Sequence, residues 1–197
     1  YARLSFDLSG NIISLFNSAM PTNERGLHTI WETPYAQYVK GELQLGQTFR
    51  FGNADKQALA MRFLVGAGYA YGNSSSIPFE KQFYSGGANS MRGWQARALG
   101  PGRVEPWSEY FLIPSQTGDF KMEANLEYRF PLFWKLEGAA FVDAGNIWSL
   151  RKMEGFEGEN FSFDTIAGDW GLGIRVNLDF ILVRIDLGTK VYEPCRD

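Results

Sequence analysis

Three stretches of this chain alternate polar and apolar residues almost without error, and this pattern limits what the chain can fold into. In the first stretch, Glu123 and Glu127 belong to the polar series, while Leu126 and Phe130 belong to the apolar series. Because successive residues of a strand point to opposite faces of a sheet, each stretch predicts a β-strand with one apolar and one charged face. The three stretches are 121–130, 169–178 and 183–191.

The length of these stretches indicates the kind of sheet. Strands of about 9–11 residues with strict alternation are typical of transmembrane β-barrels, whereas the average strand has about 5–6 residues. The chain is 45% hydrophobic, as a soluble protein can be. Half of each barrel strand faces a polar interior, however, so this composition is compatible with a barrel. The sequence has no run of about 18 apolar residues, which argues against a transmembrane helix.

The whole chain therefore predicts an all-β fold, an antiparallel transmembrane β-barrel. Short turns and long loops alternate between the strands, as expected when they lie on opposite rims of a barrel. The predicted strands are 2–9, 36–51, 57–72, 119–130, 135–148, 168–179 and 182–192. The predicted long segments are 10–35, 73–118 and 149–167, and the predicted tight turns are 52–56, 131–134 and 179–181.

Seven strands indicate one part of a larger barrel. Single-chain bacterial barrels have an even number of strands, and closure removes the free edges of the sheet. Either further strands of the same protein or segments of a partner complete the sheet, and we favour further strands. The chain begins within a strand, without an initiator methionine or a signal peptide, so we expect residues 1–197 to belong to a longer protein.

The loop 73–118 is long enough to predict a function, since structureless loops above about 12–15 residues are usually functional or disordered. It carries a glycine-rich segment followed by an arginine motif, and a second motif stands two strands later. The strand phase puts Glu127 and Asp143 on the same inward face. The loop residues are Gly86, Gly87, Met91, Arg92, Gly93 and Trp94, and the strand residues are Glu127, Phe141, Asp143 and Gly145.

With these residues in this order and spacing, the chain resembles the BamA/TamA superfamily of outer-membrane assembly factors, also called the bacterial surface antigen superfamily. Its members carry a hydrophobic-Arg-Gly-aromatic motif in their sixth extracellular loop, matched by 91–94, and an aromatic-x-Asp-x-Gly motif, matched by 141–145. The resemblance covers essentially all of 1–197. It implies the C-terminal part of a 16-stranded barrel, strands nine to fifteen, with the loop 73–118 inserted into the lumen.

The resemblance also implies a latch in which Arg92 meets Glu127 and Asp143. A guanidinium presents a rigid fork of donors suited to carboxylates. Removing one partner of a buried pair leaves an unpaired charge that costs about 3–5 kcal/mol. The alternative is that Arg92 is a solvated loop residue and Asp143 an ordinary lumen residue. The resemblance implies structural roles for the other motif residues. Gly93 allows a tight turn and Trp94 supplies packing area. The remaining structural positions of the motifs are Met91, Phe141, Gly145, Gly86 and Gly87.

The function that the resemblance implies is non-enzymatic: a barrel that folds and inserts other β-barrel proteins in the bacterial outer membrane. Its expected partners are unfolded β-barrel clients, the lipid bilayer and accessory assembly lipoproteins, with no cofactor and no metal. In the family, client strands pair at a seam between the first and last barrel strands, both outside this chain. A net charge of −3 without a basic patch argues against nucleic acid as a partner.

Other functions stay open at this point. A TamA-like or lipoprotein-type relative, or a two-partner-secretion translocase, shares the same motifs. A passive porin-like channel is a further alternative. A barrel hydrolase has little support, because His28 is the only histidine and lies in a long loop. Four tryptophans near strand ends predict anchoring at the membrane interface, with loop packing as the alternative: Trp107, Trp134, Trp148 and Trp170.

Overall fold

The computed structural model describes residues 1–52, 56–104, 116–151, 159–178 and 180–195. Its main feature is a seven-stranded antiparallel sheet with the order β1-β4-β5-β6-β7-β8-β9, and β2 and β3 form a separate small sheet. The strands are β1 (Ala2–Ser9), β2 (Thr29–Ile30), β3 (Thr33–Pro34), β4 (Tyr38–Phe51), β5 (Gln57–Ala70), β6 (Phe120–Pro131), β7 (Leu136–Trp148), β8 (Ala167–Asn177) and β9 (Leu182–Tyr192). Short helical segments are α1 (Asn11–Ser14) and 3₁₀ turns at Asn17–Ala19, Phe79–Lys81 and Phe163–Thr165.

The predicted all-β fold is confirmed, and the seven long strands lie close to their predicted limits. The strand predicted over 36–51, for example, is Tyr38–Phe51. Of the predicted tight turns, 131–134 is closed by a hydrogen bond from the Leu132 amide to the Leu136 carbonyl at 3.0 Å. The turns at 52–56 and 179–181 lie partly outside the described residues. None of the helical segments among the described residues could span a lipid bilayer.

The two faces of the large sheet differ as the alternation predicts. The register pairs Asn125 with Asp143 and Asp143 with Asp169, so polar side chains of neighbouring strands line up on one face. The other face carries large apolar side chains that stay exposed, as in the wall of a transmembrane barrel. These are Leu4, Phe6, Leu8, Leu45, Met61, Phe63, Leu126, Val142, Trp170, Leu172, Ile174, Ile185 and Leu187.

The segment between β5 and β6 crosses the inner face of this wall. Phe83 pairs with Gly118 in an isolated bridge, and its ring packs against Gly66 of β5. A Cβ atom added at Gly66 would lie 2.5 Å from the Phe83 ring, so only glycine allows the loop to approach this closely. The loop is therefore packed against the inner wall through its described residues.

The segment between β1 and β4 contains α1 and the β2–β3 hairpin, which the sequence pattern did not predict. The hairpin has Trp31 and Glu32 at its tip, both in the left-handed region with φ of 47° and 68°. Elements of two to four residues are too short to give a hydrophobic period, so the pattern could not reveal them.

The tryptophans differ from one another in environment. Trp134 lies in the β6–β7 turn and Trp170 on the outer face of β8, and both are exposed. Interface anchoring is wrong for Trp148, which is fully buried, with its ring centroid 4.9 Å from that of Phe161. Its Nε1 donates to Thr165 Oγ1 at 2.6 Å, so the segment before β8 covers this end of β7. Trp107 lies outside the described residues.

Candidate functional site

The glycine-rich segment of the loop forms a turn that leads directly to Arg92. Gly86 and Gly87 have φ of 97° and 96°, a backbone conformation that side chains with a Cβ rarely adopt. The Ser90 amide donates to the Gly87 carbonyl at 3.0 Å, and the Gly86 amide donates to Ser90 Oγ at 3.1 Å. Glycine at both positions therefore permits the reversal that turns the chain toward the wall.

Arg92 donates to both acidic residues that the sequence singled out. Its Nε lies 2.8 Å from Asp143 Oδ2 and its Nη2 2.8 Å from Asp143 Oδ1. The third nitrogen, Nη1, lies 2.6 Å from Glu127 Oε2. The side chains are 7% exposed for Arg92, 0% for Asp143 and 8% for Glu127. This is a bidentate arginine–carboxylate pair with a second carboxylate on the remaining nitrogen.

Phe141 supports the guanidinium from one side. The Cζ of Arg92 lies 3.5 Å from the centroid of the Phe141 ring. Phe141 and Asp143 stand two residues apart on β7, so their side chains share the inner face and reach the same guanidinium. A desolvated cation over an aromatic face adds about 2 kcal/mol of attraction.

Further charges balance this buried site. Glu127 Oε1 also meets Arg129 Nε at 2.6 Å and Arg175 Nη1 at 2.5 Å. Asp186 Oδ2 lies 3.7 Å from Arg92 Nη1. Burial alone disfavours a charged Arg92, but its hydrogen bonds to Asp143 and Glu127 outweigh burial and raise the pKa of Arg92 above its usual range. The guanidinium of Arg92 is therefore charged at neutral pH.

Gly93 is required by a close approach rather than by its backbone conformation. It lies in a turn closed by the Trp94 amide and the Met91 carbonyl at 3.2 Å, but its φ is outside the left-handed region. A Cβ atom at Gly93 would lie 2.7 Å from the Cβ of Asp169 on β8. The Gly93 amide donates to Asp169 Oδ2 at 3.0 Å, so the backbone itself is bound to the wall.

Met91 and Trp94 pack in a small core beside the arginine. Both are buried, and they form a cluster with Leu99 of the loop and Ala167 of β8. Trp94 Nε1 donates to Glu193 Oε1 at 3.1 Å, which ties the loop to the segment after β9. The apolar residues of the motif therefore contact a different part of the wall from the arginine.

Gly145 lies opposite Glu123 in the β6–β7 register. A Cβ atom at Gly145 would meet the Met122 carbonyl oxygen and would lie 2.9 Å from the Cα of Glu123. The absence of a side chain at Gly145 therefore leaves room for Glu123, which is 1% exposed.

Glu123, Asn125 and Asp169 are contacts of the loop that the sequence did not single out. Glu123 Oε1 accepts a hydrogen bond from Ser85 Oγ at 2.7 Å. Asn125 Nδ2 donates to the Ser90 carbonyl at 2.8 Å and to Asp143 Oδ1 at 2.8 Å. All three share the inward phase of Glu127 and Asp143, and this phase is the signal by which they could have been found.

His28 is remote in its contacts from this site. Its amide donates to Asn73 Oδ1 at 2.7 Å, and Asn73 Nδ2 donates back to the His28 carbonyl at 2.8 Å. In the part of the chain that the structure describes, no group of three or more His, Cys, Asp or Glu residues could hold a metal ion.

Two comparisons bear on this site. The Omp85 superfamily domain matches residues 32–197, which include the loop motif and both acidic partners of its arginine. The chain is also similar to the outer membrane protein assembly factor BamA of Neisseria meningitidis serogroup B, with 32% identity over 113 residues. That alignment covers 55% of this chain but only 14% of BamA, so the chain spans a small part of this relative.

Proposed function

Because this chain belongs to the Omp85 superfamily, we propose that its barrel folds and inserts other β-barrel proteins into the bacterial outer membrane. The superfamily is one of β-barrel assembly and translocation, and the chain is an outer-membrane protein. The finer proposal, insertion of client barrels, is supported by similarity to a protein named as an assembly factor.

The observation that carries this proposal is the buried network around Arg92. A passive channel needs an open lumen, whereas here a loop is bound to the inner wall by Asp143, Glu127 and Asp169. Loss of one partner from a buried pair costs about 3–5 kcal/mol, so the loop is held in one position. A loop fixed in the lumen therefore favours an assembly factor over a passive porin-like channel.

The proposed action is non-enzymatic. In this proposal the exposed N–H and C=O groups at a seam of the complete barrel template the strands of an unfolded client, which is β-augmentation. The partners are unfolded outer-membrane β-barrel proteins, the lipid bilayer and accessory assembly lipoproteins. In this proposal the latch holds the loop against the inner wall, so that the wall keeps its structure when such a seam opens.

The test is complementation of a depletion strain with the full-length protein. We expect Arg92→Ala to lower the amount of folded outer-membrane β-barrel proteins, while the control Arg50→Ala, at an exposed position near the end of β4, leaves it unchanged. Normal client levels with Arg92→Ala would count against the proposal. Loss of one secreted protein with normal barrel levels would instead favour a translocase of the two-partner type.

A further inference from the structure

Glu123 is a buried carboxylate of β6 whose two oxygens both have partners. Oε1 accepts hydrogen bonds from Ser85 Oγ at 2.7 Å and from Ser90 Oγ, and it lies 3.0 Å from Lys121 Nζ. Oε2 accepts from Arg62 Nη2 at 3.2 Å. Arg62 and Lys121 therefore provide two positive charges beside this buried carboxylate.

The two serines stand at the two ends of the glycine turn of the loop. Ser85 precedes Gly86 and Gly87, and Ser90 follows the turn, two residues before Arg92. A single carboxylate that binds both hydroxyls closes this turn from outside. Ser90 Oγ also accepts from the Gly86 amide at 3.1 Å, so the bound hydroxyl fixes the backbone of the turn as well.

Hydrogen bonds connect this turn to the arginine site. Arg62 binds Glu123 through Nη2 and donates from Nε to Asn125 Oδ1 at 2.8 Å. Asn125 in turn donates to the Ser90 carbonyl and to Asp143 Oδ1, each at 2.8 Å. Asp143 is the main partner of Arg92. The chain of contacts runs from Glu123 to Arg92 along both the loop and the wall.

We propose that Glu123 is a positioning residue for Arg92: it closes the Ser85–Ser90 turn and so sets where the guanidinium meets Asp143. The turn is held to the wall by hydrogen bonds rather than by apolar packing. Asn125 and Arg184 bind it at single points, whereas Glu123 binds the hydroxyls at both of its ends. The inference concerns the geometry of the loop, and it rests on the proposed function only for its consequence in client assembly.

The loop position can be measured as tryptic cleavage after Arg97, a loop residue that every variant keeps. The full-length protein is purified in detergent micelles, and gel migration before and after heating verifies that the barrel is folded. We expect Glu123→Gln, and separately the double variant Ser85→Ala/Ser90→Ala, to raise the cleavage rate roughly tenfold, because hydrogen bonds to a charged group are lost. Cleavage at the wild-type rate in both would overturn the proposal.

The control is Ser75→Ala/Ser76→Ala, which alters two exposed serines of the same loop and leaves the cleavage rate unchanged. A double-mutant cycle then separates positioning from an independent contact. If Glu123 acts through Arg92, Glu123→Gln adds nothing to the cleavage rate of Arg92→Ala. Full additivity of the two effects would overturn the positioning role.

Client assembly measured in the same variants distinguishes this inference from the proposed function. A released loop with normal assembly contradicts the proposed function and leaves the positioning role intact. Impaired assembly with wild-type cleavage overturns the positioning role and leaves the proposed function intact.

Discussion

Replacing Arg92 by lysine tests how much of the loop's stability comes from the guanidinium fork rather than from its charge. Lysine keeps the positive charge but lacks the planar fork that reaches Asp143 through two nitrogens and Glu127 through the third. A hydrogen bond to a charged group contributes about 1.5–3 kcal/mol. If lysine retains one of the three side-chain contacts, two are lost, and we expect the loop to lose about 3–6 kcal/mol of its closing free energy.

The assay is hydrogen–deuterium exchange of loop peptides covering 83–99 in the full-length protein in lipid nanodiscs. A loss of about 3 kcal/mol raises the open fraction roughly 100-fold, and exchange from the open state rises in proportion. Peptides of β5 should be unchanged. The matched control is Arg103→Lys, because the Arg103–Asp164 pair is exposed and exposed pairs contribute little to stability. Loop exchange no faster than in the Arg103 control, or equal acceleration in β5, would refute the reasoning.

Three further predictions concern the same wall and its rim. Asp143→Asn keeps the side-chain volume but removes a charge from the arginine pair, and thermal gel-shift assays should show a less stable barrel, with an unchanged midpoint as the contrary result. Gly93→Ala should destabilise by about 1–3 kcal/mol through overpacking, while the control Gly168→Ala, whose added Cβ would lie 4.0 Å from its nearest neighbour, should have little effect in the same assay. Burial, together with nearby Asp119, raises the pKa of Glu159 above its unfolded value of about 4.3. The protonated carboxyl of Glu159 therefore stabilises the folded segment below that pH, and this stabilisation is lost as pH rises through the raised pKa. Exchange of peptides covering 159–165 should therefore slow as pH falls through this window, after correction for intrinsic rates. The variant Glu159→Gln should weaken this pH dependence, and an unchanged dependence in that variant would contradict the assignment.

The strands could be predicted from the sequence because a period of two, kept over a long stretch, fits the pleat of a strand and does not fit the 3.6-residue period of a helix. The same alternation set the phase that brings Glu127 and Asp143 to one face. The pairing of Arg92 with these carboxylates came from family resemblance, since periodicity does not say where a loop goes.

The missed features depend on the path of the loops. The role of Glu123 follows from the position of Ser85, which no local pattern fixes. Trp148 ends a strand, where anchoring at the membrane is a reasonable expectation, but the segment before β8 covers it. The need for glycine at position 93 arises from the distance between Gly93 and Asp169, a residue far away in the sequence.

The most direct test of the central claim is an experimental structure of the full-length protein in a lipid bilayer, refined well enough to place side chains. Our account predicts the guanidinium of Arg92 inside the lumen, with Nε about 2.8 Å from Asp143 and Nη1 beside Glu127. A loop that lies outside the lumen, with this arginine in solvent and both carboxylates bound to other cations, would contradict it.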